Sequence, residues 1–583
     1  MSASEINEHV RYEPNEHPPY PLAAGTAIQA TILMVTPIVL TVVIVVRIAE
    51  QPESLIVWGA FAALLVSGLT TMLQAAGLGR FGSGHILLMG TSGAFIAVCV
   101  AALQTAGPAT MASLIVASSL FQFLLAARLS MLRRIFTPVV TGTVIMLIAA
   151  TVFPVIFYSL TDVPEGTHSA AAPLAAGVTL LVVAGLVLRG PPRLRLWSPV
   201  IGIVLGCAVG VPFGIYNPQP ILEAPWIGIP FTSWPGLDVS LDHKFWALLP
   251  AFVIVTLVGA IETIGDGVAI QRVSQRRRRA TDFRVVQGAL NADGTGNLLS
   301  GLMGTLPNTT YSTSISLAEV TGIGSRRVGV LIGALIAVVA FFPKVAAIII
   351  AIPTPIAAAY ITVLLGLLFV QGMKIVIQDG VDHRKAVVAG VAFWVGTGFQ
   401  NQWIYGDLLG DGFLGILLGN GMTSGAIVAV FMVAFLELTA PRRRRLSIPI
   451  DEEALGKLTQ FLAQFAARAH WNEESRNRLL LVGEETLNSI SEVENGSGNG
   501  SGNGRSRNLR VTIRNTSGGA ELEFVSASEG DNLEDQLTYL HEPSDVPDVR
   551  EISFRLLRHY ASSVRHQKYH GVDVVSVDVA GGR

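Results

Sequence analysis

Two carboxylates, Glu262 and Asp266, sit four residues apart inside an apolar run, in the stretch GAIETIGDGVAIQ at 259–271. That spacing puts both on one face of a helix. A carboxylate at membrane depth is costly and is a functional-site hypothesis by default. Its uses there are few: to accept a proton, to bind a cation, or to hydrogen-bond a substrate N–H. The alternative is a carboxylate satisfied by Ser or Thr neighbours. Other polar residues in apolar runs are weaker candidates: Gln29, Thr36 and His85 as core or lining, Glu319 facing water, and Asp293 as a packing or turn feature.

Two short stretches are too polar for lipid-facing helices: GHILLMGTSGAFIA (84–97) and GTLPNTTYSTSI (304–315). Paired interrupted segments at corresponding places in two halves point to an inverted-repeat transporter with a midplane site. Irregular backbone at membrane depth is tolerated where it is buried or lines a cavity. Two half-helices meeting there would aim their positive N-terminal ends at a ligand. Small-residue helix packing is the plainer alternative.

The elements that must position these residues are membrane-spanning. The chain has 583 residues, 51% hydrophobic and 14% charged, with net charge −2 and 59 glycines. These figures exclude a disordered chain, a nucleic-acid binder driven by net charge and a disulfide scaffold; Cys99 and Cys207 both lie in apolar runs. From 23 to 440 apolar runs succeed one another, most of them about 18–25 residues long, the length that spans a bilayer. The segments, in order, are Ala23–Ile48, Ser54–Gly77, His85–Leu103, Ala109–Leu129, Thr137–Tyr158, Ala171–Leu188, Pro199–Ile215, Phe245–Ile270, Val285–Leu302, Leu306–Val320, Val328–Phe342, Ile356–Val376, Ala386–Phe399 and Ser424–Leu438. The two polar stretches fall at segments 3 and 10, equivalent places in a 7+7 arrangement.

Basic residues cluster at Arg128/Arg133/Arg134, Arg189/Arg193/Arg195, Arg272/Arg276–Arg279, Arg326/Arg327, Lys374/Arg384/Lys385 and Arg442–Arg445. Numbered along the chain, all of these fall on one side, which reads as cytoplasmic. Both termini are therefore expected in the cytoplasm. Residues 1–22 are polar, with no apolar stretch of the signal-peptide kind.

GTSGAF, GAIETIGD with its Arg-rich loop, and NADGTGNLLSGLMGTLPNTTYSTSISLAEVTGIGSRRV together resemble the nucleobase–ascorbate transporters, which include the uracil and xanthine/uric acid permeases. The resemblance covers roughly 20–440. It implies a polytopic α-helical membrane protein of about 14 transmembrane segments in two inverted 7-segment repeats. A core domain (segments 1–4 and 8–11) would carry substrate, and a gate domain (5–7 and 12–14) would form a homodimer. It implies a secondary transporter rather than an enzyme, coupled to H+ or sometimes Na+, in the inner (plasma) membrane among lipid.

Residue by residue, Glu262 matches the glutamate that hydrogen-bonds the base, and Asp266 the position linked to proton coupling. Gly93 stands where the family often has a stacking Phe. Thr313, Ser314 and Ser316 replace the segment 10 amide or acid pair and the glycine after it. Backbone near Ser312 and Thr313 remains available to a ligand, and Gln29 lies near the family's segment 1 polar residue. A purine such as xanthine or urate is expected over uracil. Another small organic anion, or a membrane-tethered sensor, stays open as an alternative. A sulfate-permease relative would share the fold but gives no reason for ETIGD.

The composition turns soluble-like after Arg445. Helices are expected at Asp451–His470, Asn472–Val493 and Val549–His566, and alternating strands at Leu509–Asn515, Ala520–Ser526 and Val572–Val579, with a Gly/Asn/Ser loop at 495–504. The order α-α-β-β-α-β suggests a two-layer α/β domain over 441–583. WNEESRNRLLLVGEETLNSI resembles the histidine-kinase-like ATPase fold, in its anti-sigma-factor kinase branch. The resemblance makes Glu484 the base and Asn488 the Mg²⁺ holder. The stretch SASEGDNLEDQ lacks that fold's nucleotide-loop glycines. Weak or no ATP binding and no kinase activity are therefore expected, and a cytoplasmic regulatory partner is. No metal or nucleic-acid partner is expected.

Overall fold

A computed structural model describes residues 7–127, 137–230, 233–277, 279–377, 383–406, 413–439, 443–451, 453–496, 508–516, 519–526, 556–557, 559–569 and 572–581. The chain divides into two compact units, one built on Glu8–Arg276 with Val285–Leu436, the other on the chain from Glu437 onward.

Among the described residues of the first unit, eight helices are long and apolar enough to cross a membrane: Tyr20–Ile48, Glu53–Ala76, Pro108–Ala127, Pro138–Ser159, Ala171–Arg189, Pro192–Gly210, His243–Val273 and Thr354–Ile377. They are segments 1, 2, 4, 5, 6, 7, 8 and 12. Segment 11 is a broken span, Arg326–Ala340 and Pro343–Ile350, bent by 83° at the residues before Pro343. Proline has no N–H and disfavours helix in the residue before it, which places the break. Segments 9 (Phe283–Leu302), 13 (His383–Gln400) and 14 (Gly421–Thr439) fill the remaining helical places.

Segment 11, expected as one apolar run, is corrected to a broken span, whereas segments 3, 9, 10 and 13 were expected as shorter or Gly-broken runs and are not among the eight. In segment 9 the polar Gln287, Asp293, Asn297 and Ser300 are all buried, so their partners are protein rather than lipid. Segment 7 also begins earlier than expected, at Pro192, with Pro199 inside the helix.

Segments cross closely where glycines face each other. A Cβ on Gly68 in segment 2 would lie 2.6 Å from the Gly333 carbonyl in segment 11, and a Cβ on Gly333 2.6 Å from the Gly68 carbonyl. Segments 5 and 12 repeat the device with Gly142 and Gly372. Without a hydrophobic drive between helices in lipid, such backbone approach supplies the van der Waals contact.

On the side poor in basic loops, three cations are each spent on the end of a helix. Arg47 donates to the carbonyls of Ile350 (2.8 Å) and Ile352 (3.3 Å), Lys244 to Thr105 (2.9 Å) and Lys344 to Ala224 (3.4 Å). Each satisfies orphan C-terminal carbonyls and complements the helix dipole. These residues are exceptions to the charge asymmetry because they cap helices.

The N-terminal stretch is pinned to the membrane unit. Arg276 Nη1 and Nη2 donate to the two Glu16 carboxylate oxygens at 2.7 and 2.6 Å, and Nη2 also to the Arg11 carbonyl at 2.6 Å. The Arg11 and Tyr12 amides donate to the Gly322 carbonyl at 2.8 and 3.1 Å, and the Gly324 amide to the Tyr12 carbonyl at 2.7 Å. The Arg276 bonds hold the Glu16 carboxyl below its ordinary value.

In the second unit a five-stranded antiparallel sheet runs in the order β3-β4-β5-β7-β6: β3 Arg444–Pro449, β4 Asn508–Thr516, β5 Gly519–Ser526, β6 Ser563–Tyr569 and β7 Val572–Ala580. Helices Ala454–Arg468 and Glu473–Gly496 pack on it through Leu458, Leu462, Leu479 and Val482 against Leu509, Val511, Leu522, Phe524 and Val577. Two expectations change. Arg444–Pro449 is a strand, the edge of the sheet. The stretch expected as the end of helix Val549–His566 is strand β6 from Ser563; helix is described at 556–557 and 559–560, and 549–555 lies outside the described residues. The basic loop Arg128/Arg133/Arg134 and residues 497–507 also lie outside them.

Candidate functional site

Segments 3 and 10 meet as a pair of three-residue strands. β1 (Met89–Thr91) pairs antiparallel with β2 (Asn308–Thr310), in the register Met89↔Thr310, Gly90↔Thr309 and Thr91↔Asn308. Each strand leads into a half-helix: Gly93–Phe95 as a 3-10 turn continuing into Ile96–Thr105, and Thr313–Thr321. Pairing the strands satisfies backbone that a broken helix leaves exposed at membrane depth. Both half-helices start at this crossing. The N–H groups of Gly93, Ala94, Ser312 and Thr313 donate no hydrogen bond among the described residues. Two positive helix ends with free donors make an acceptor-binding place.

Gly90 lets the strands close over an aromatic ring. A Cβ there would lie 2.5 Å from the Tyr311 ring, whose hydroxyl donates to the Thr91 carbonyl at 2.7 Å.

Segment 8 lies across the crossing with both carboxylates, in unlike states. Asp266 is buried, 4% exposed, and both of its oxygens are engaged. Thr310 Oγ1 donates to Oδ2 at 2.8 Å and Ser312 Oγ to Oδ1 at 2.9 Å. Glu262, one turn before, is half-buried and accepts no hydrogen bond among the described residues. The 3-10 turn of segment 3 packs on the same helix, with Phe95 3.9 Å from where a Gly259 Cβ would be. A Cβ on Gly93 would meet nothing within 4 Å.

Asp293, expected as a packing or turn feature of segment 9, is tied to segments 4 and 8 by buried hydrogen bonds. It is 1% exposed. Its Oδ2 accepts from Thr263 Oγ1 at 2.8 Å and from Gln122 Nε2 at 2.6 Å. Asn297 Nδ2 donates to Gln122 Oε1 at 2.7 Å, and Asn297 Oδ1 accepts from the Asn308 amide at 2.7 Å. A buried polar chain thus joins segments 4, 8 and 9 to β2, and through Thr310 reaches Asp266. Asp293 Oδ1 is buried with no partner among the described residues. A buried hydrogen-bonded network of this kind fixes geometry.

The other sequence candidates separate. Thr313 is half-buried at the start of its helix, beside Ser312. Ser314 is buried and turned to the scaffold, its hydroxyl accepting from the Leu88 amide at 2.8 Å and donating to the Tyr311 carbonyl at 2.5 Å. Gln29 lines a different cavity with Thr321, at the far end of the segment 10 half-helix. Glu319 is exposed, and His85 Nδ1 lies 2.8 Å from the Ser83 carbonyl. In the second unit Glu484 is exposed and Asn488 half-buried, one turn apart on their helix; residues 527–536 of the expected nucleotide stretch lie outside the described residues. Thr263, Thr310 and Gln122 were missed in sequence because a hydroxyl or amide in a helix or strand gives no signal until its partner is known.

A purine permease so named from Clostridium perfringens is 30% identical over 399 residues, 67% of this chain and 85% of that one. The xanthine permease XanP of Escherichia coli is 26% identical over 446 residues, 73% of this chain and 94% of that one. The nucleobase transporter PlUacP of Paenibacillus larvae is 27% identical over 385 residues, 63% of this chain and 84% of that one. The model of the permease family matches residues 23–402, which contain both strands of the crossing and Glu262, Asp266 and Asp293. The chain is therefore a polytopic helical membrane transporter, and it belongs to the permease family.

Proposed function

We propose that this chain moves a nucleobase-like heterocycle across the cell membrane, a purine such as xanthine or urate before uracil, in symport with a proton. The observation that carries the reading is the contrast between the two carboxylates of segment 8. Glu262 is half-buried and accepts no hydrogen bond among the described residues, and Asp266 is held by two hydroxyls. A heterocycle presents N–H donors to the Glu262 carboxylate and carbonyl acceptors to the free N–H groups of Gly93, Ala94 and Thr313. The names of the relatives, xanthine permease and purine permease among them, support the substrate class.

Asp266 and Asp293 are the coupling groups in this reading. Both are carboxyls held in hydroxyl and amide networks, so a proton gained or lost at either is felt through Thr310 and Thr263 at the crossing. Elevator-type movement of segments 1–4 and 8–11 against 5–7 and 12–14 then exposes the site alternately. Both termini lie in the cytoplasm, the protein works as a homodimer, and the C-terminal unit is a regulatory module.

Labelled xanthine, urate and uracil uptake into proteoliposomes, with and without an inward proton gradient, tests the proposal. The parent accumulates purine with the gradient and Glu262→Gln does not. Uptake of none of the three by the parent would sink it.

A further inference from the structure

The cavity that holds Gln29 lies between segments 1, 7 and 10, apart from the crossing, with a volume of about 600 Å³. Arg11 and Arg193 line its polar end. Both are exposed, and among the described residues neither guanidinium has an ion-pair or hydrogen-bond partner. This differs from Arg276 close by in the chain fold, whose guanidinium is filled by Glu16 and two carbonyls. Two unpaired guanidinium groups at one cavity call for an anion with several acceptor oxygens.

The rest of the cavity is not built for a small hydrated ion. Its wall is Leu22, Ile28, Ile32 and Trp197, with Ile28 53% and Ile32 46% exposed. Segments 1 and 7 both begin at this end, at Tyr20 and Pro192, so the arginines sit at the membrane–water boundary and the aliphatic wall runs inward. Ile32 is twelve residues along its helix, about 18 Å from the helix start. Tryptophan is a residue of that boundary. An anion at the interface joined to hydrocarbon that descends into the bilayer is a phospholipid.

We propose that this cavity is a binding site for one anionic phospholipid, its phosphate held by Arg11 and Arg193 and an acyl chain lying along Ile28 and Ile32. Basic pockets between transmembrane helices take acidic headgroups in this way. The site is independent of what the crossing transports.

Native mass spectrometry of the purified full chain from mixed micelles of phosphatidylglycerol and phosphatidylcholine reads it directly. The expected result is retention of one phosphatidylglycerol in preference to phosphatidylcholine, by roughly fivefold per arginine. Arg11→Gln with Arg193→Gln abolishes the preference, and Arg195→Gln, on the same exposed helix start, does not. Inorganic phosphate and glycerol phosphate in excess leave the lipid in place. Equal retention of the two lipids, preference unchanged in the double variant, or displacement by free phosphate would each overturn the proposal. The lipid comparison and the phosphate competition on the parent decide it alone if the variant does not fold.

Discussion

The hydroxyls that hold Asp266 offer the sharpest test of the site. Thr310→Val keeps the shape and β-branching of the strand residue and removes one donor. Thr310 is fully buried, at 0% exposure, so water cannot replace its 2.8 Å bond to Asp266. Ser312 makes a bond of nearly equal length, 2.9 Å, but is exposed, and water can take its place in Ser312→Ala. A hydrogen bond to a charged group contributes roughly 1.5–3 kcal/mol, and a buried acceptor left short of a donor costs the desolvation as well. Thr310→Val is therefore expected to lower the kcat/KM of purine uptake by about 10- to 150-fold. Ser312→Ala should lower it by less than about fivefold, and Thr310→Ser should restore most of the loss. The assay is initial uptake into proteoliposomes normalised to folded protein, with ligand-binding affinity measured alongside. If Thr310→Val and Ser312→Ala are equally mild, or if Thr310→Ser is as poor as Thr310→Val, burial of the hydroxyl is not what positions Asp266 and the reasoning fails.

Three further outcomes follow from the packing. Gly68→Ala places a methyl 2.5 Å from the Ala337 amide nitrogen, backbone that cannot step aside, and is expected to destabilise the membrane unit by about 1–3 kcal/mol, read as a lowered thermal midpoint in detergent. Arg47→Met removes the cap on the Pro343–Ile350 half of segment 11 and is expected to cost about 1 kcal/mol, with faster hydrogen exchange at that helix end but not at Arg326–Ala340. The Glu16 carboxyl is held below its ordinary value of 4.5 by Arg276, so its contribution is present above that value and lost as pH falls through the lower folded value. Amide exchange at Arg11 and Tyr12 is expected to be faster in Glu16→Gln than in the parent at neutral pH, and the two should converge in strong acid; a difference that grows in acid would reverse the assignment.

The membrane class, the order of fourteen segments and the two interrupted ones were legible in the sequence because each rests on local composition. Apolar length reports bilayer thickness, and Gly, Ser and Thr in a short segment report irregular backbone at depth. Glu262 and Asp266 stood out for the same reason, as carboxylates where lipid length was expected. The C-terminal strands β4, β5 and β7 were visible by alternation. Strand β3 hid behind Arg444 and Arg445, and β6 behind a sequence, SVRHQKY, whose polar residues suit either element.

What each of the two carboxylates does in the fold was not in the sequence. They share one helix face and differ in what the other half of the chain brings to them: Thr310 and Ser312 reach Asp266 from more than forty residues away, and among the described residues no hydrogen-bond donor reaches Glu262. Asp293 shows the same limit more strongly, since its partners Gln122 and Thr263 lie on two other segments. Gln29 and Ser314 moved the other way, from expected ligand contacts to a separate cavity and to the scaffold. Sequence by itself settled which groups are costly to bury. The tertiary structure decided which of them are satisfied within the protein and which are left for something else, because hydrogen-bond partners across a helical bundle are set by packing and have no fixed spacing along the chain.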